Sequence, residues 1–473
     1  MQGCRADTVK AKSKHHIPSS ERGVALVLAC FFCSSFFILA LASYITVCNR
    51  TLEMSSRNLN GGHSIELAEM GMEEALWALN NSATDNWSNW SFAGSTATRT
   101  LSGASFNYDN GVTGSVSLSV TNYNVGTGAH VITATATTTM ADGSRISRSL
   151  SSVASPAALF TNALGATGTS TTTGTITFNS GGTVDSYDSS AGLYSAQTPT
   201  YSAILAAGGT STTTYPIQLT NARIKGYTAT VTGSKGLGYT VGGSARVIGP
   251  STTVNVSGTT IDASRVISTP ISYQQNFAIK TISGVGTTIP GNNTGGTIGT
   301  VGATTPSIYY YTGGLELTGG TTITVQGPVI MVITGYFHMG VDGSTSSIQV
   351  LSTGSLQVYT TSDLAIYGGG INNLTQDPKK VVIYGTNTGG ITDMSSDPDM
   401  STSTDFYGVI YTPNGKFTVK KNNAIYGSIV AATVLFTSSA PVIHYDLNLR
   451  KVLFDGITTP FGVSSWTETT NGG

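Results

Sequence analysis

The chain has 473 residues, of which 10% are charged, and its formal net charge at pH 7 is −1. A nearly neutral chain creates no long-range field that would attract nucleic acid, so no nucleic-acid partner is expected. Glycine is abundant, at 57 residues. After residue 95, Ser and Thr alternate with Val, Ile, Tyr and Phe, which favours β-structure over disorder.

The cysteines are confined to the N-terminal part of the chain, at positions 4, 30, 33 and 48. The β-rich region that follows contains none, although an exported domain could form disulfides in an oxidising compartment. We therefore expect packing and strand pairing, rather than disulfides, to hold this region together.

An uncharged apolar stretch begins at Val24 and ends at Val47. About 20 such residues cross the ~30 Å hydrocarbon core of a bilayer as a helix. The stretch is longer than the apolar region of a secretory signal peptide, which has roughly 7–15 residues. A single-pass membrane helix is therefore predicted. Basic residues that precede the stretch place the N-terminus in the cytoplasm by the positive-inside rule: Arg5, Lys10, Lys12, Lys14 and Arg22.

Two short motifs flank and follow this helix. Glu21-Arg22-Gly23 directly before the apolar stretch resembles the class III signal of type IV pilins and pseudopilins, and residues 68–76 (AEMGMEEAL) resemble the corresponding part of PilX-type minor pilins. The resemblance covers about the first 80 residues. It implies a bacterial inner-membrane protein that a prepilin peptidase cuts between Gly23 and Val24. It also implies that the mature helix packs against other pilin subunits in a filament at the cell surface. Pilins typically carry glutamate at the fifth mature position, where this chain has Leu28.

The helix is predicted to extend to residue 80, with an interruption at Gly61 and Gly62 because glycine is a poor helix former. An apolar face is predicted from the spacing of the large side chains Ile65, Met72, Leu76 and Leu79. A second face carries acidic residues that are either solvated or paired with Arg50 or Arg57 of a neighbouring subunit: Glu66, Glu69 and Glu73.

The remaining chain has two β-rich textures. Residues 98–153 alternate apolar and polar residues with period two, and glycine turns such as Asp142-Gly143 separate the segments, which is typical of antiparallel hairpins. After Ser155-Pro156, short apolar pairs recur at irregular spacing with small-residue turns, and Tyr-Gly pairs recur as if at equivalent corners. A parallel β-helix accounts for this pattern, with a β-sandwich as the alternative.

The predicted fold class is mainly β with one long N-terminal helix: a pilin-like helix, an antiparallel β-meander and a parallel β-helix. The predicted divisions are a leader at 1–23, a transmembrane and assembly helix at 24–80 and a pilin-like meander at 81–155. They continue with a parallel β-helix at 156–455 and a C-terminal tail at 456–473. The last part of the β-helix resembles the β-helical region that follows PilX-like N-termini in some bacterial proteins, which implies no known activity.

Two groups of residues are candidates for glycoside hydrolysis, which needs two carboxyl groups on either side of a sugar. Asp185 and Asp188 lie in a Ser- and Gly-rich turn, and Asp446 lies beside His444. Aspartate in such turns more often caps its own backbone. The sequence therefore predicts no catalytic residues.

An oxygen-rich loop is the candidate metal site. Asp393, Asp397, Asp399 and Asp405 lie within residues 391–405, without the spacing of an EF-hand. Calcium is the metal that such a loop would bind, and a solvated loop is the alternative. No other cofactor is predicted.

The sequence favours a minor pilin or pseudopilin-like subunit of a type IV pilus or a type II secretion-like filament. So large a β-helical body would clash if it were repeated along a filament, which favours a place at the tip and a role in assembly priming or adhesion. A surface glycan or a host or abiotic surface would then be the ligand. The alternatives are a membrane-anchored polysaccharide-active enzyme on a β-helix and an uncleaved surface anchor.

Overall fold

The computed structural model describes residues 19–81, 87–108, 111–123, 130–168, 174–239, 243–254, 258–268, 277–290, 295–339, 345–386, 399–402, 404–456 and 461–469. The chain forms two compact units. Unit 1 comprises Met1–Ser155 and Phe461–Gly473, and unit 2 comprises Pro156–Pro460.

Unit 1 is built on one long helix, α1, which spans Ser19–Asn80. The predicted interruption at Gly61 and Gly62 is wrong, because α1 continues through both residues. Gly61 is buried, and one turn later the hydroxyl oxygens of Ser64 and Thr138 lie 2.8 Å apart in the core. Packing against the sheet therefore outweighs the cost of the two glycines, roughly 1 kcal/mol each relative to alanine.

The sheet of unit 1 is an antiparallel meander that gains a strand from the far end of the chain. Its consecutive strands are β1 (Ser91–Ala93), β2 (Thr96–Tyr108), β3 (Val112–Thr121), β4 (His130–Thr139) and β5 (Arg145–Pro156). The C-terminal strand, Phe461–Thr469, extends the sheet beside β5. The side chain of Asn80 holds the start of this strand. Its amide nitrogen donates to Phe461 O at 3.2 Å, and its amide oxygen accepts from Phe461 N at 2.6 Å. The sequence assigned this segment to a tail, where the structure has a strand.

Small residues form the centre of the α1 face that packs on the sheet. Ala68 and Ala75 are fully buried. A Cβ atom on Gly71 would lie 2.6 Å from Leu118 Cδ2 and 2.7 Å from Val116 Cγ1. The prediction from large side chains was therefore only partly correct: Met72 and Leu79 are buried, whereas Ile65 and Leu76 are half-buried.

The tryptophans near the end of α1 close one end of this core. Trp87 and Trp90 are each 7% exposed, with ring centroids 5.1 Å apart in an edge-to-face arrangement. Trp77 points outward and is 49% exposed. Two of the three thus pack at the junction between helix and sheet.

A buried histidine makes the stability of unit 1 depend on pH. His130 is 1% exposed and its ring meets that of Phe461 edge-to-face at 4.5 Å. Burial lowers the pKa of His130 below its ordinary value of about 6.5. The unfolded chain therefore takes up a proton first as the pH falls, so stability is full above pH ~6.5 and decreases below it.

We expect the free energy of unfolding of unit 1 to fall between pH 7 and pH 5, measured by denaturant titration. Replacing His130 by phenylalanine should flatten this pH dependence, because no proton can then bind at this position. The His63→Gln variant is the control, since the side chain of His63 is 25% exposed beside Glu66. An unchanged slope in His130→Phe would contradict the assignment.

Unit 2 consists of short strands. In chain order they are β6 (Leu164–Ala166), β7 (Ile176–Phe178), β8 (Thr183–Tyr187), β9 (Ala203–Ala207), β10 (Ile217–Leu219), β11 (Arg223–Thr230), β12 (Leu237–Tyr239), β13 (Arg246–Ile248), β14 (Thr260–Ile261), β15 (Val266–Ile267), β16 (Thr287–Pro290), β17 (Gly296–Ile298), β18 (Ser307–Thr312), β19 (Leu315–Leu317), β20 (Thr322–Val325), β21 (Pro328–Thr334), β22 (Phe337–Met339), β23 (Ser347–Val350), β24 (Ser355–Thr360), β25 (Leu364–Gly368), β26 (Gly370–Asn373), β27 (Val381–Gly385), β28 (Asp399–Thr402), β29 (Phe406–Val419), β30 (Ala424–Phe436) and β31 (Val442–Asp446).

Every pairing between the described strands of this unit is parallel, and each strand pairs with an equivalent strand of the next coil. One ladder runs through β16, β18, β21, β24, β27, β29 and β30; a second runs through β19, β22, β25 and β28; a third runs through β17, β20, β23 and β26. Alternate residues such as Val329, Met331 and Ile333 point inward to a continuous core. The predicted fold class, a long helix followed by antiparallel and then parallel β-structure, is confirmed, and the sandwich alternative is wrong.

The coils do not stack in chain order. The last coil lies next to the first, because β30 pairs with β6 and β7 and β31 pairs with β8. We call this contact the seam. The rings of Phe178 and Phe436 stack across it at 4.4 Å, and Tyr445 Oη donates to Phe160 O at 2.8 Å. The first coils, up to β15, continue the stack beyond the seam.

The Tyr-Gly pairs are only partly equivalent. Tyr407 and Tyr426 are in register, with their rings stacked at 4.1 Å. Tyr384 instead aligns with Tyr411, and Tyr367 aligns with Ser401. Of these Tyr-Gly pairs, those at Tyr407 and Tyr426 therefore occupy equivalent positions on adjacent coils, as the sequence pattern suggested.

Candidate functional site

The part of α1 between residues 24 and 59, here called the uncovered zone, meets the rest of the described chain only near its C-terminal end, where Ser56 Oγ lies 4.0 Å from Met140 Sδ. Its side chains are exposed, apart from the half-exposed Ser35 and Cys48. From Val24 onward α1 contains a stretch that is long and apolar enough to cross a membrane, by length and composition. At 1.5 Å per residue this uncovered zone is about 54 Å long, well beyond the ~30 Å that a bilayer core covers.

The zone also carries exposed apolar side chains on the C-terminal side of the uncharged stretch that ends at Val47. Leu52, Met54 and Leu59 are 68%, 66% and 63% exposed. A membrane anchor alone leaves these side chains in water, whereas a neighbouring helix would cover them. Leu28, at the predicted fifth mature position, is 54% exposed on the apolar part of the same helix. Gly23 lies within α1, and cleavage between Gly23 and Val24 stays a prediction.

An open groove of 260 Å³ runs beside the upper part of α1 in unit 1. Its floor is apolar, and Trp466 on the C-terminal strand is 54% exposed at its edge. Glu69 and Glu73 line the helix side. This surface could receive an apolar side chain from a partner that also brings a positive charge.

In unit 2, polar and aromatic side chains align on the outside of the coils at the seam. Tyr407, Tyr426, His444 and Asp185 occupy successive register positions of β29, β30, β31 and β8. Lys225 of β11 continues the row, one residue beyond the pair formed by Val184 and Ile224. The residues considered as catalytic candidates, Asp185 and His444, are therefore neighbours in space.

Asp185 is fully engaged within this row. Its Oδ1 lies 2.6 Å from His444 Nδ1, and its Oδ2 accepts from Tyr194 Oη at 3.1 Å and lies 3.7 Å from Lys225 Nζ. An ionised carboxylate only accepts, so Nδ1 of His444 carries the proton. The residue is 2% exposed and His444 is 7% exposed. The arrangement is a buried charge cluster that joins the first and last coils.

Tyr194 covers the cluster from a short 3₁₀ turn, Tyr194–Ala196. Its ring lies 3.8 Å from that of His444, between centroids. Burial and the charge of Asp185 raise the pKa of Tyr194 well above its ordinary value. The phenol therefore stays protonated and continues to donate its hydrogen bond to Asp185.

The other two candidate carboxylates cap backbone turns, as the sequence favoured. Asp188 accepts from Ser190 N at 2.9 Å, and hydrogen bonds from Ser190 lower the pKa of Asp188. Asp446 Oδ1 accepts from Asn448 N and from Ser189 N, both at 3.0 Å. The second of these bonds crosses the seam. Neither carboxylate shares a cluster with Asp185 as a catalytic pair would.

Sequence reasoning missed Lys225 and Tyr194. Lys225 lies on a different coil from the carboxylate it faces, and only the alignment of Val184 with Ile224 reveals its place. Tyr194 belongs to an irregular excursion between β8 and β9 that has no apolar periodicity. The proposed calcium ligands Asp393 and Asp397 lie outside the described residues, and Asp399 is described only as part of β28. The calcium prediction stays a prediction.

A second groove, of 270 Å³, lies on the outer face of β20, β23 and β26. It is lined by uncharged polar side chains, among them Thr322, Ser347, Gln349, Asn372 and Thr404. The amides of Gln349 and Asn372 are in register on adjacent coils. Hydroxyl and amide groups in such a row match the hydrogen-bonding groups of a glycan.

The comparisons with known proteins identify no activity. A protein-family model described as a domain of unknown function (DUF7305) matches residues 278–452, less than half of the chain. This segment contains the coils from β16 to β31. No curated protein matches the chain. The competence-associated pilin ComZ from Thermus thermophilus aligns over 87% of this chain and 98% of its own, at 10% identity with a TM-score of 0.22. A score this low does not establish a shared fold.

Proposed function

We propose that this protein is a pilin-like subunit that its N-terminal helix anchors in the inner membrane and then carries into a type IV pilus or a type II secretion-like filament. The observation that carries the proposal is the length of the uncovered zone of α1. About 20 residues suffice to span a bilayer, and residues 24–59 exceed that number. The surplus requires protein neighbours, which helix packing in a filament supplies.

Processing by a prepilin peptidase between Gly23 and Val24 is part of this proposal, and the Glu21-Arg22-Gly23 motif supports it. Other pilin subunits are the expected neighbours of the helix. The absence of glutamate at Leu28 fits a subunit that caps a filament, because in pilins that carboxylate meets the N-terminus of an adjacent subunit.

The large size of unit 2 favours a position at the tip of the filament, where no further subunit follows. Its function there would be assembly priming or surface adhesion. The polar groove along Gln349 and Asn372 is the surface that we assign to a glycan ligand. Its two amides lie in register on adjacent coils, so each could meet one of two neighbouring sugar units of a polysaccharide.

Deleting the gene should reduce filament number if the protein primes assembly, or reduce surface binding at normal filament number if it is an adhesin. Electron microscopy and a cell-adhesion assay separate the two outcomes. In the adhesin case, Gln349→Ala with Asn372→Ala should lower glycan binding at least tenfold, whereas Gln357→Ala on another face should not. Normal filaments together with normal adhesion in the deletion strain would overturn the tip role.

The enzyme alternative rests on the cluster of Asp185, His444 and Lys225. A general acid or base must reach its substrate within about 3 Å or through one water. The burial of Asp185 and His444 beneath Tyr194 does not favour such contact. The structural role of this cluster is therefore the better account.

A further inference from the structure

The groove beside the upper part of α1 combines an apolar floor, an indole ring and two carboxylates. Its lining consists of Glu69, Met72, Glu73, Leu76, Leu150, Val463 and Trp466. All of these residues belong to unit 1, and none of them is basic. Trp466 is 54% exposed and Val463 is 36% exposed. Apolar surface thus lies open beside two negative charges.

The two carboxylates of the groove have no cationic partner within the described part of the chain. Glu69 and Glu73 are exposed and take part in none of the ion pairs of unit 1. Arg148, two residues from Leu150 on β5, pairs instead with Glu468 at 3.3 Å. Glu69 and Glu73 are four residues apart on one helix face, where like charges repel each other. A bound cation would relieve this repulsion.

The dimensions of the groove suit one long side chain. Its helix side runs from Glu69 to Leu76, which is seven residues or about 10 Å along α1. Its volume of 260 Å³ is below the roughly 300–1,000 Å³ of pockets that hold drug-sized ligands. A neighbouring helix would need a longer face. A single side chain inserted from a loop therefore fits better than a small-molecule cofactor or a whole helix.

An arginine side chain matches each part of this lining. Its aliphatic stem can cover Met72 and Leu76, as basic side chains do on apolar surfaces. Its planar guanidinium stacks on indole rings and carries five N–H donors, enough for both carboxylates. An anionic ligand would be repelled by Glu69 and Glu73. A lipid headgroup is out of reach, because Glu69 lies 22 residues beyond Val47, or about 33 Å along α1.

We propose that this groove binds an arginine that a loop of a partner protein presents next to an apolar residue. The guanidinium lies against Trp466 and between Glu69 and Glu73, and the apolar neighbour covers Val463. Tryptophan and arginine are among the residue types that most often dominate the binding energy of protein interfaces. Unit 1 thus recognises a protein, whereas the polar groove of unit 2 is the surface assigned to a glycan.

Blocked dipeptides test the ligand chemistry. Full-length protein in detergent micelles is titrated calorimetrically with acetyl-leucyl-arginine amide and with acetyl-leucyl-citrulline amide. Citrulline has the length of arginine but carries no charge. The arginine dipeptide should bind about tenfold more tightly, because only it gains the contacts with the indole ring and the two carboxylates as a cation. Equal affinities, or binding of neither dipeptide, would overturn the proposal.

Substitutions locate the site. Glu69→Gln with Glu73→Gln should weaken binding of the arginine dipeptide about fivefold, and so should Trp466→Ala. The matched control is Glu66→Gln, because Glu66 is a 71% exposed glutamate of the same helix outside the groove lining. This control should bind the dipeptide as the wild type does. A loss in the control equal to that in the double variant would show that the dipeptide responds to the charge of α1 and not to the groove, and the proposal would fail.

Sedimentation of the same samples separates the proposed partner from a second copy of this chain. The wild type and the Trp466→Ala variant should have the same oligomeric state. Self-association of the wild type that disappears in Trp466→Ala, without binding of the arginine dipeptide, would assign the groove to a second copy and overturn the proposal.

Discussion

Replacing Asp185 by alanine is expected to lower the free energy of unfolding of unit 2 by about 3–5 kcal/mol, the cost of removing one partner from a buried charge cluster. His444 and Lys225 would lose the carboxylate that both approach, at 2.6 Å and 3.7 Å. The loss should appear at the seam. Hydrogen exchange followed by mass spectrometry should show reduced protection of β8 and β31 together, although these strands are far apart in the sequence.

The matched control is Asp188→Ala, three residues away. Asp188 caps an exposed turn through Ser190, so its removal should cost only about 1 kcal/mol and should leave β31 protected. Unchanged stability in Asp185→Ala, together with lost cleavage of a glycan, would contradict the structural role and favour an enzyme. Equal effects of the two substitutions would show that the seam does not depend on the cluster.

Replacing Gly71 by leucine is expected to destabilise unit 1 by about 3 kcal/mol, at the upper end of the usual range for overpacking. Even a Cβ atom at this position would lie within 2.7 Å of Leu118 and Val116. These close contacts can be relieved only if α1 moves away from the sheet. All four tryptophans, at positions 77, 87, 90 and 466, belong to unit 1, so their fluorescence follows its unfolding selectively.

Gly62→Leu provides the opposite expectation on the same helix. A Cβ atom at Gly62 would meet nothing within 4 Å. Leucine is the better helix former, so this variant should be more stable than the wild type by roughly 0.5–1 kcal/mol. If both substitutions had the same sign, close approach of Gly71 to the sheet would not be the reason for a glycine in this motif.

Local features were predictable from sequence because local chemistry decides them. The turn at Asp142-Gly143 closes a hairpin in which Gly143 has a φ of 84°, a conformation that glycine adopts without strain. The alternation of Val116, Leu118 and Val120 with serines predicts inward apolar side chains, and these three residues are buried. The carboxylate caps at Asp188 and Asp446 also follow from their turns.

Features that depend on distant parts of the chain were not predictable. The seam pairs Asp185 with His444, and no periodicity in one strand specifies which coil will be its neighbour. The strand at Phe461–Thr469 is recruited by the free edge of β5. At Gly61 and Gly62, packing on the sheet overrides helix propensity. The faces of α1 were misjudged because small residues, rather than large ones, allow the closest approach.

The central claim is that residues 24–59 serve assembly as well as anchoring. N-terminal sequencing of the chain recovered from the sheared cell-surface fraction tests it most directly. The account predicts that the chain is present in this fraction and that its first residue is Val24. Recovery of the chain only from the inner membrane, with the leader before Gly23 still attached, would contradict it.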